Sequence, residues 1–251
     1  MIEELLPASV AAVETFGHDD TAEAALYPEE AALVERAVTK RRREFATVRV
    51  CARAAMERLG VPPHPVLTGE RGAPNWPGGL VGSMTHCEGY AAAALARAGD
   101  LASLGVDAEP HGPLPDGVLE AVALPAERAR LARLTAHRPD LHWDRLLFSA
   151  KESVYKAWFP LTGAWLDFSE ADIDLTPAPD TETSDAVAAD RAAPDAGAPG
   201  TAASGAVVSG TLRAELLVPG PLVAGHRLGH FEGRWTIQRG LAVTVVVVPV
   251  G

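Results

Sequence analysis

Cysteine and long apolar runs are scarce in this sequence. The two cysteines, Cys51 and Cys87, form no CxxC pair and no disulfide framework, which excludes a disulfide-stapled secreted domain. No apolar run approaches the ~20 residues that cross a bilayer, and the strongest, 241–248, is typical of a buried strand. The acidic start, Met1 to Glu4, lacks the basic residues of a signal peptide. We therefore expect a cytoplasmic protein that does not enter a membrane.

Basic residues are fewer than acidic residues, and they are unevenly distributed. The 251 residues carry 22 lysines and arginines against 33 aspartates and glutamates, a net charge of −11 that disfavours a general nucleic-acid binder. Residues 36–58 nevertheless carry a net charge of +6, which leaves −17 on the rest of the chain. Such a local cationic patch indicates a specific polyanionic ligand, and a solvated helix face explains the charge equally well.

Length, proline, glycine and periodicity predict how the chain is organised. At 26.3 kDa it is one large domain or two small ones, and its 47% hydrophobic and 22% charged residues are typical of a soluble globular protein. The predicted helices are 29–59, 125–136 and 142–159, the last ending at Pro160. The predicted strands are a hairpin of 90–96 with 101–108, followed by 212–218, 229–238 and 241–248. Residues 61–80 predict a loop, and 176–210 a disordered insertion between strands.

An arginine stripe lies beside the apolar face of the predicted helix 29–59. Arg42, Arg49 and Arg53 follow one another at i, i+7 and i+11, which places them within roughly 40° around a helix. Their long side chains can lie along apolar surface and present the guanidinium groups together. Because arginine binds phosphate in a bidentate manner, the stripe favours a phosphate-bearing ligand.

Carboxylates on a strand and on a helix form a second candidate site. Asp107 and Glu109 end an apolar strand and share one face of it, where they repel each other unless a cation such as a divalent metal neutralises them. Within 148–158, Glu152 and Lys156 stand at i, i+4 on the face opposite the apolar side. A solvated strand end and an ordinary exposed ion pair explain the same residues, so only the combination predicts a metal and phosphate site.

His86 lies in the segment that precedes the predicted hairpin. One histidine beside one cysteine lacks the ligand spacing of a zinc site, and Cys87 has no visible catalytic companion. A role in which Thr85 and His86 hydrogen-bond a phosphate or a base is compatible with the pattern. A histidine whose hydrogen bonds are satisfied in the core is equally compatible.

Together these motifs resemble the 4′-phosphopantetheinyl transferases. Gly105–Glu109, followed about forty residues later by Phe148–Lys156, is similar to the paired signatures of that family. Arg71–Pro77 and Ser83–His86 match its upstream elements in the right order. The Phe/Lys-Glu-Ser form resembles the surfactin-type, pseudo-dimeric subfamily. Two further segments are similar to its actinobacterial members: Arg42–Arg53 and Leu141–Arg145.

The resemblance implies a reaction and a set of site residues. The reaction is Mg²⁺-dependent transfer of 4′-phosphopantetheine from coenzyme A to a serine of an apo acyl or peptidyl carrier protein, which releases adenosine 3′,5′-bisphosphate. Asp107, Glu109 and Glu152 are implied to ligate Mg²⁺, with Mn²⁺ as an alternative. Glu152 is also implied to be the base, and Lys156 to stabilise the leaving phosphate. The residues implied to bind coenzyme A are Arg41, Arg49, Arg53, Arg71, Thr85, His86, Lys151 and Lys156.

The implied fold is α+β, with two pseudo-symmetric subdomains that each pack a small antiparallel sheet on a long helix. The N-terminal subdomain, 1–104, would carry the coenzyme A phosphate and adenine side, and 105–251 the metal and the catalytic helix. Duplicated halves in one chain favour a monomer. The carrier could serve fatty-acid, polyketide or nonribosomal peptide synthesis. The alternatives are a metal-dependent phosphodiesterase and a non-catalytic module that binds coenzyme A or a carrier protein.

Overall fold

The computed structural model of this protein describes residues 1–17, 21–179 and 207–251, which contain five α-helices and antiparallel sheets. The helices are α1 (Pro28–Val34), α2 (Thr39–Arg58), α3 (Val118–Val122), α4 (Pro125–His137) and α5 (Trp143–Thr162). The strands are β1 (Ala11–Phe16), β2 (Leu67–Thr68), β3 (Pro74–Asn75), β4 (Leu80–Cys87), β5 (Tyr90–Arg97), β6 (Leu101–Pro110), β7 (Ala171–Pro177), β8 (Val208–Leu216), β9 (Leu222–Val223), β10 (His226–Arg227), β11 (His230–Gln238) and β12 (Leu241–Pro249). Among the described residues, no helix is both long and apolar enough to cross a membrane.

Two larger sheets and two long helices organise the fold. One sheet has the strand order β1-β5-β4 and packs against α2, while the other has the order β6-β12-β11-β8-β7 and packs against α5. Alternation gives β6 and β12 two apolar faces, because Val106 and Val245 point away from α5 into one core while Ala242 and Val246 join the core beneath α5. The prediction of a mixed helix and antiparallel-sheet fold is therefore confirmed.

Side-chain hydroxyls join the two sheets at β4 and β6. The backbone N–H of Val106 donates to Ser83 Oγ at 3.0 Å, and the N–H of Ala108 donates to Thr85 Oγ1 at 3.0 Å. These hydroxyls satisfy the backbone N–H groups along the open edge of β6, which would otherwise be buried without partners. The carboxylate-bearing end of β6 is thereby held beside β4.

The predicted helix 29–59 is two helices, since the chain leaves the helical path between Val34 and Thr39. A buried ion pair gives the reason: Arg53 of α2 lies 2.9 Å from Glu30 of α1, whose other oxygen accepts the N–H of Val66 at 2.8 Å. Glu30 can reach Arg53 only if α1 folds back across α2. The single-helix prediction was wrong because this partnership joins residues far apart in sequence.

The predicted hairpin of strands 90–96 and 101–108 was also wrong. Both strands exist, but β5 pairs with β1 and β4, whereas β6 pairs with β12 in the other sheet. Residues 91–96 of β5 are almost wholly buried and both edges of this strand are occupied, so no edge is left for β6. The hairpin at this point is β4–β5, which turns at Glu88 and Gly89.

The C-terminal half follows the prediction more closely. Strands were expected at 212–218, 229–238 and 241–248, and β8, β11 and β12 lie there, with Arg239 and Gly240 at positive φ in the turn that joins the last two. Helix α5 continues through Pro160 to Thr162 and ends at Gly163, which has the left-handed conformation. Of the predicted insertion 176–210, residues 180–206 lie outside the described residues, whereas Pro177 and Gly210 pair within β7 and β8.

Candidate active site

The polar face of α5 points toward the sheet. Ser149 and Ser153 are fully buried against β12, and Lys156 reaches β6. The sequence places Ser149, Glu152 and Lys156 on the face opposite the apolar side, but that face packs on β6 and β12 because hydroxyl groups satisfy the serines there. The carboxylates of β6 and the charged residues of α5 therefore converge.

Asp107 is the central residue of this cluster, and its two oxygens have different surroundings. Oδ1 accepts from Lys156 Nζ at 2.7 Å and from Thr85 Oγ1 at 3.4 Å. Oδ2 is buried and has no hydrogen-bond partner within the described part of the chain. A buried carboxylate oxygen without a donor is costly, so this oxygen is an unfilled acceptor at the centre of the cluster.

Glu109 and Glu152 lie on either side of Asp107, on β6 and α5. Glu109 accepts from Arg145 NH1 at 3.0 Å. Burial raises the pKa of Glu109, Asp107 adds to the shift and Arg145 opposes it. Burial also raises the pKa of Glu152; Lys156 opposes this shift and Asp107 adds to it. Asp107 thus raises the proton affinity of both Glu109 and Glu152, and the cations of the chain only partly offset this effect.

A second group of polar side chains faces the cluster from α2 and β4. Arg41 NH1 donates to His86 Nε2 at 2.9 Å, and Glu44 Oε2 lies 3.4 Å from the same nitrogen. Burial lowers the pKa of His86, and the charges of Arg41 and Lys156 lower it further while Glu44 opposes them. The ring is therefore neutral at pH 7 and accepts at Nε2. A cavity of about 280 Å³ opens beside His86, between α2 and the β4–β5 turn.

The structure divides the predicted arginine stripe. Arg53 is committed to Glu30 and to the carbonyl of Ala25. Arg49 is also buried, but its guanidinium donates to Val66 O, Phe45 O and Thr68 Oγ1 and forms no ion pair among the described residues. Burial lowers the pKa of Arg49 to about 10; the charge of Glu30 opposes this shift, and Arg41 and Arg53 add to it. Arg49 is thus a desolvated cation that lacks a direct counter-ion.

Lys151 and Thr85 were both predicted to contact coenzyme A, and the structure gives both other partners. Lys151 Nζ lies 2.8 Å from Glu127 and donates to the carbonyls of Phe168 and Ala171, with 2% of its side chain exposed. Burial lowers the pKa of Lys151, and Glu127 opposes the shift. The hydroxyl of Thr85 is occupied by β6 and Asp107. Both side chains are therefore bound within the protein, although Lys151 also lines the small pocket beside Glu152.

An aromatic pocket of about 90 Å³ begins on the other side of Glu152. Tyr155 and Trp165 form its walls, with ring centroids 5.0 Å apart, and the guanidinium of Arg71 lies 5.6 Å from the Trp165 ring. Arg71 has a positive φ of 52°, a strained conformation for a residue with a side chain. The Tyr155 hydroxyl is buried, and no described residue forms a hydrogen bond with it. Arg71 and Tyr155 thus both lie beside Trp165, at a pocket that Glu152 also lines.

The chemistry of the cluster is that of oxygen ligands and phosphate-binding cations. Among the described residues, no three His, Cys, Asp or Glu side chains are arranged as a group that could hold a metal ion. The residue types nevertheless suit a hard divalent cation, since Asp107 Oδ2 is unpartnered and the carboxylates repel one another. Arg145 competes with such a cation for Glu109. The arrangement can bind a metal-associated phosphate and accept a proton at Glu152.

Sequence reasoning missed three groups in this region. Arg145, Glu152 and Lys156 have the same i, i+7, i+11 spacing as the α2 stripe, so the spacing was a signal for Arg145. Glu44 stands three residues after Arg41, which offered only a weak signal. The pocket walls formed by Tyr155 and Trp165 had none, because a Tyr or Trp in an amphipathic helix or loop is ordinarily a packing residue.

Comparison with known proteins matches two successive parts of the chain to two family models. A model of the 4′-phosphopantetheinyl transferase N-terminal domain matches residues 29–96, and one of the 4′-phosphopantetheinyl transferase superfamily matches 103–195. The chain is 57% identical to 4′-phosphopantetheinyl transferase Svp of Streptomyces mobaraensis, with 99% of this chain and 89% of that protein aligned. It is 44% identical to PptT of Mycobacterium tuberculosis, with 99% and 98% aligned. It is 45% identical to Npt of Nocardia iowensis, with 98% and 99% aligned.

Proposed function

This chain belongs to the 4′-phosphopantetheinyl transferase superfamily and is a 4′-phosphopantetheinyl transferase, and we propose from that premise how its residues perform the transfer. The phosphopantetheine group of coenzyme A moves to a serine of an apo acyl or peptidyl carrier protein in a Mg²⁺-dependent reaction. Adenosine 3′,5′-bisphosphate is released. The observation that carries the proposal is the convergence of Asp107, Glu152 and Lys156, with one Asp107 oxygen left without a donor.

Asp107, Glu109 and Glu152 would hold Mg²⁺ or, alternatively, Mn²⁺. The unpartnered Oδ2 of Asp107 and the repulsion between Asp107 and each of the two glutamates support this assignment. When bound, the ion supplies positive charge for the oxygens of the reacting phosphate. Thr85 and Lys156 both bind Oδ1 of Asp107, so they fix this carboxylate with its other oxygen free.

Glu152 would accept the proton of the attacking serine, and Lys156 would stabilise the negative charge of the leaving phosphate. The carrier serine forms a bond to the β-phosphorus while the bond from that phosphorus to the adenosine bisphosphate oxygen breaks. Glu152 accepts the serine proton, and its raised pKa suits that role. The electron pair of the broken bond goes to the leaving phosphate. The ammonium group of Lys156 stabilises this developing negative charge.

Coenzyme A would lie across the cleft, held by cations from both sides. Arg41 and the neutral His86 face it from α2 and β4, and Arg49 lacks a direct counter-ion that a phosphate would supply. Arg71 faces the cleft beside Trp165. Arg53, Lys151 and Thr85 would then act indirectly, through the structure that surrounds the site.

The pantetheine chain would enter the pocket formed by Tyr155 and Trp165. This chain is uncharged and carries amide groups, so it suits a pocket that combines aromatic walls with polar side chains able to hydrogen-bond. The Tyr155 hydroxyl, which is buried without a partner, would supply that bond. The pocket begins at Glu152, so a pantetheine bound there would have its phosphate near the base.

We also propose the finer classification of the chain. Two subdomains, 1–104 and 105–251, would be related by pseudo-symmetry, as in the surfactin-type subfamily. The packing of α2 on one antiparallel sheet and of α5 on another supports two such units. The proposed boundary falls within β6 (Leu101–Pro110), which pairs with β12 along its whole length. A cleft formed within a single chain needs no second copy, so we expect a monomer. We also expect this acidic enzyme to act in the cytoplasm and without nucleic acid.

The function is tested by intact-mass spectrometry of an apo carrier protein incubated with the enzyme, coenzyme A and Mg²⁺. We expect a gain of one phosphopantetheine, and no gain after EDTA treatment. Consumption of coenzyme A without modification of several carrier types would instead indicate a phosphodiesterase. Coenzyme A that is bound but left intact would indicate a non-catalytic binding module.

The proposed metal site predicts the reactivity of Cys87 in the cleft. Burial raises the pKa of Cys87 to about 12, and the charges of Glu109 and Asp107 contribute to that shift. Because the thiolate is the nucleophile, alkylation by iodoacetamide at pH 8 should be about 10²–10³-fold slower than that of free cysteine. Mg²⁺ at these carboxylates should lower the pKa and accelerate alkylation about tenfold, as measured by peptide mass spectrometry.

Two variants control the alkylation experiment. Cys87→Ser leaves only the buried Cys51 and should abolish the signal. Asp107→Asn should remove the response to Mg²⁺ while Cys87 remains reactive. An unchanged alkylation rate in the unmodified protein over the full range of Mg²⁺ concentration would contradict the metal assignment, whatever the enzyme's activity.

A further inference from the structure

Three buried hydroxyls join α5 to β12 behind the catalytic face. Thr244 Oγ1 donates to the carbonyl of Ser149 at 2.9 Å. The hydroxyl oxygens of Ser149 and Ser153 lie 2.9 and 2.7 Å from Thr244 Oγ1. Ser153 Oγ also donates to the carbonyl of Thr244 at 3.0 Å. All three residues are completely buried. This cluster, called here the hydroxyl clasp, is a polar contact inside an otherwise apolar helix–sheet interface.

The backbone of α5 lies very close to the sheet at the clasp. A Cβ atom on Gly105 would overlap the carbonyl oxygen of Ser153, so only glycine allows this approach. One turn further along, Ser103 Oγ donates to the carbonyl of Ala157 at 2.8 Å. Polar contacts along β6 and β12 thus fix the position of α5 along the strand direction, which apolar packing alone specifies weakly.

The clasp is in register with the catalytic groups. Thr244 of β12 is the cross-strand partner of Asp107 of β6, and paired residues of an antiparallel sheet point to the same side. On α5, Ser153 directly follows Glu152 and lies one turn from both Ser149 and Lys156. A change at Thr244 therefore acts on the same turn of α5 that presents Glu152 and Lys156.

We infer that Thr244 is a positioning residue for the transfer reaction. Its hydroxyl fixes the distance of α5 from the sheet and the position of α5 along the strands, so that Lys156 can bind Asp107. The inference rests on the proposed roles of Glu152 and Lys156. A methyl group in place of the hydroxyl requires about 3.5–4.0 Å to a neighbouring atom, whereas Ser149 and Ser153 now lie at 2.9 and 2.7 Å. Thr244→Val therefore displaces this turn of α5 without changing the size of the side chain.

Kinetics of three variants test the inference. Thr244→Val should lower kcat about 10–100-fold with the KM for coenzyme A within about threefold, since small displacements of reacting groups are costly. Thr244→Ser keeps the hydroxyl and should recover kcat to within about threefold of the unmodified enzyme. Thr236→Val removes another buried hydroxyl of the sheet, bonded to Val208 O, on the face away from α5. Like Thr244→Val, this variant should lower Tm by roughly 2–8 °C, but it should leave kcat unchanged.

A measurement that needs no activity separates this inference from the proposed function. Urea unfolding of Lys156→Met, Asp107→Asn and the double variant gives the coupling between these two side chains. That coupling should fall by about half or more in a Thr244→Val background and persist in a Thr236→Val background. Unchanged coupling together with unchanged kcat in Thr244→Val would overturn the inference. Failure of the unmodified enzyme to modify any carrier would overturn the proposed function, while the coupling would still decide the role of Thr244.

Discussion

Replacing Glu152 with glutamine is expected to lower kcat about 10²–10⁴-fold, the range typical of a lost general base. Glutamine keeps the shape of the side chain but cannot accept the serine proton, and it offers a weaker metal ligand. The affinity for coenzyme A should change little, because the phosphate-binding cations are on other residues. Single-turnover transfer to an apo carrier, followed by intact-mass spectrometry, measures the rate, and calorimetry measures binding of coenzyme A.

Glu88→Gln provides the matched control. Glu88 is exposed at the turn between β4 and β5, beside the cleft, so this variant makes the same change of charge without touching the carboxylate cluster. It should keep kcat within about twofold. If Glu152→Gln retained more than about a tenth of the activity, Glu152 would not be the base.

The raised pKa of Glu152 also has a direct consequence for the pH profile. The base must be deprotonated, so activity is lost as pH falls through its pKa, and a raised pKa places that loss at higher pH than for an ordinary glutamate. A bound cation favours the carboxylate form and lowers the pKa. Raising the Mg²⁺ concentration should therefore shift the acidic limb of kcat/KM to lower pH.

Lys151→Met is expected to destabilise the protein by about 3–5 kcal/mol, the cost typical of breaking a buried ion pair. The substitution leaves Glu127, which is 1% exposed, without its cation, although the N–H groups of Leu124 and Ile173 still donate to it. Urea unfolding measures the loss. Variant protein that remains folded at low temperature should keep the KM for coenzyme A, since the ammonium group is already bound by Glu127 and two backbone carbonyls.

Two further variants make this result specific. Lys40→Met removes an exposed lysine and should change stability by less than about 0.5 kcal/mol. Adding Glu127→Gln to Lys151→Met removes the uncompensated charge and should recover part of the lost stability. Normal stability of Lys151→Met together with a KM for coenzyme A raised tenfold or more would support the original sequence-based assignment of Lys151 as a phosphate contact.

The elements of the second half were more predictable than those of the first. Periodicity predicted α4, α5 and three C-terminal strands close to their observed bounds, because each has a strong apolar pattern of its own. The pairing of strands was less accessible, since β5 and β6 are adjacent in sequence and yet belong to different sheets. Whether a segment forms a strand depends on its own apolar pattern. Which strand it pairs with depends on the strand edges that other parts of the chain leave unoccupied.

The candidate site was also predictable in its residues but not in its packing. Asp107, Glu152 and Lys156 were recognised by residue type and spacing, and the structure brings them together. The i, i+4 geometry also fixed which face of α5 is polar. It could not show that this face packs against the sheet, because the hydroxyl of Thr244 that satisfies the serines lies about ninety residues away in sequence.

The sequence by itself determined the family, the order of the motifs and the residue types available for chemistry, because these depend only on local pattern. Which cations remain available for a ligand was decided by tertiary structure. Arg53 has the helical spacing of the arginine stripe, and Lys151 was assigned through the family resemblance, but Glu30 and Glu127 neutralise them inside the protein. Arg49 is buried and, among the residues that the structure describes, forms no ion pair of its own. The physical reason is that a buried charge must find its counter-charge through packing, and packing joins residues that the sequence keeps apart.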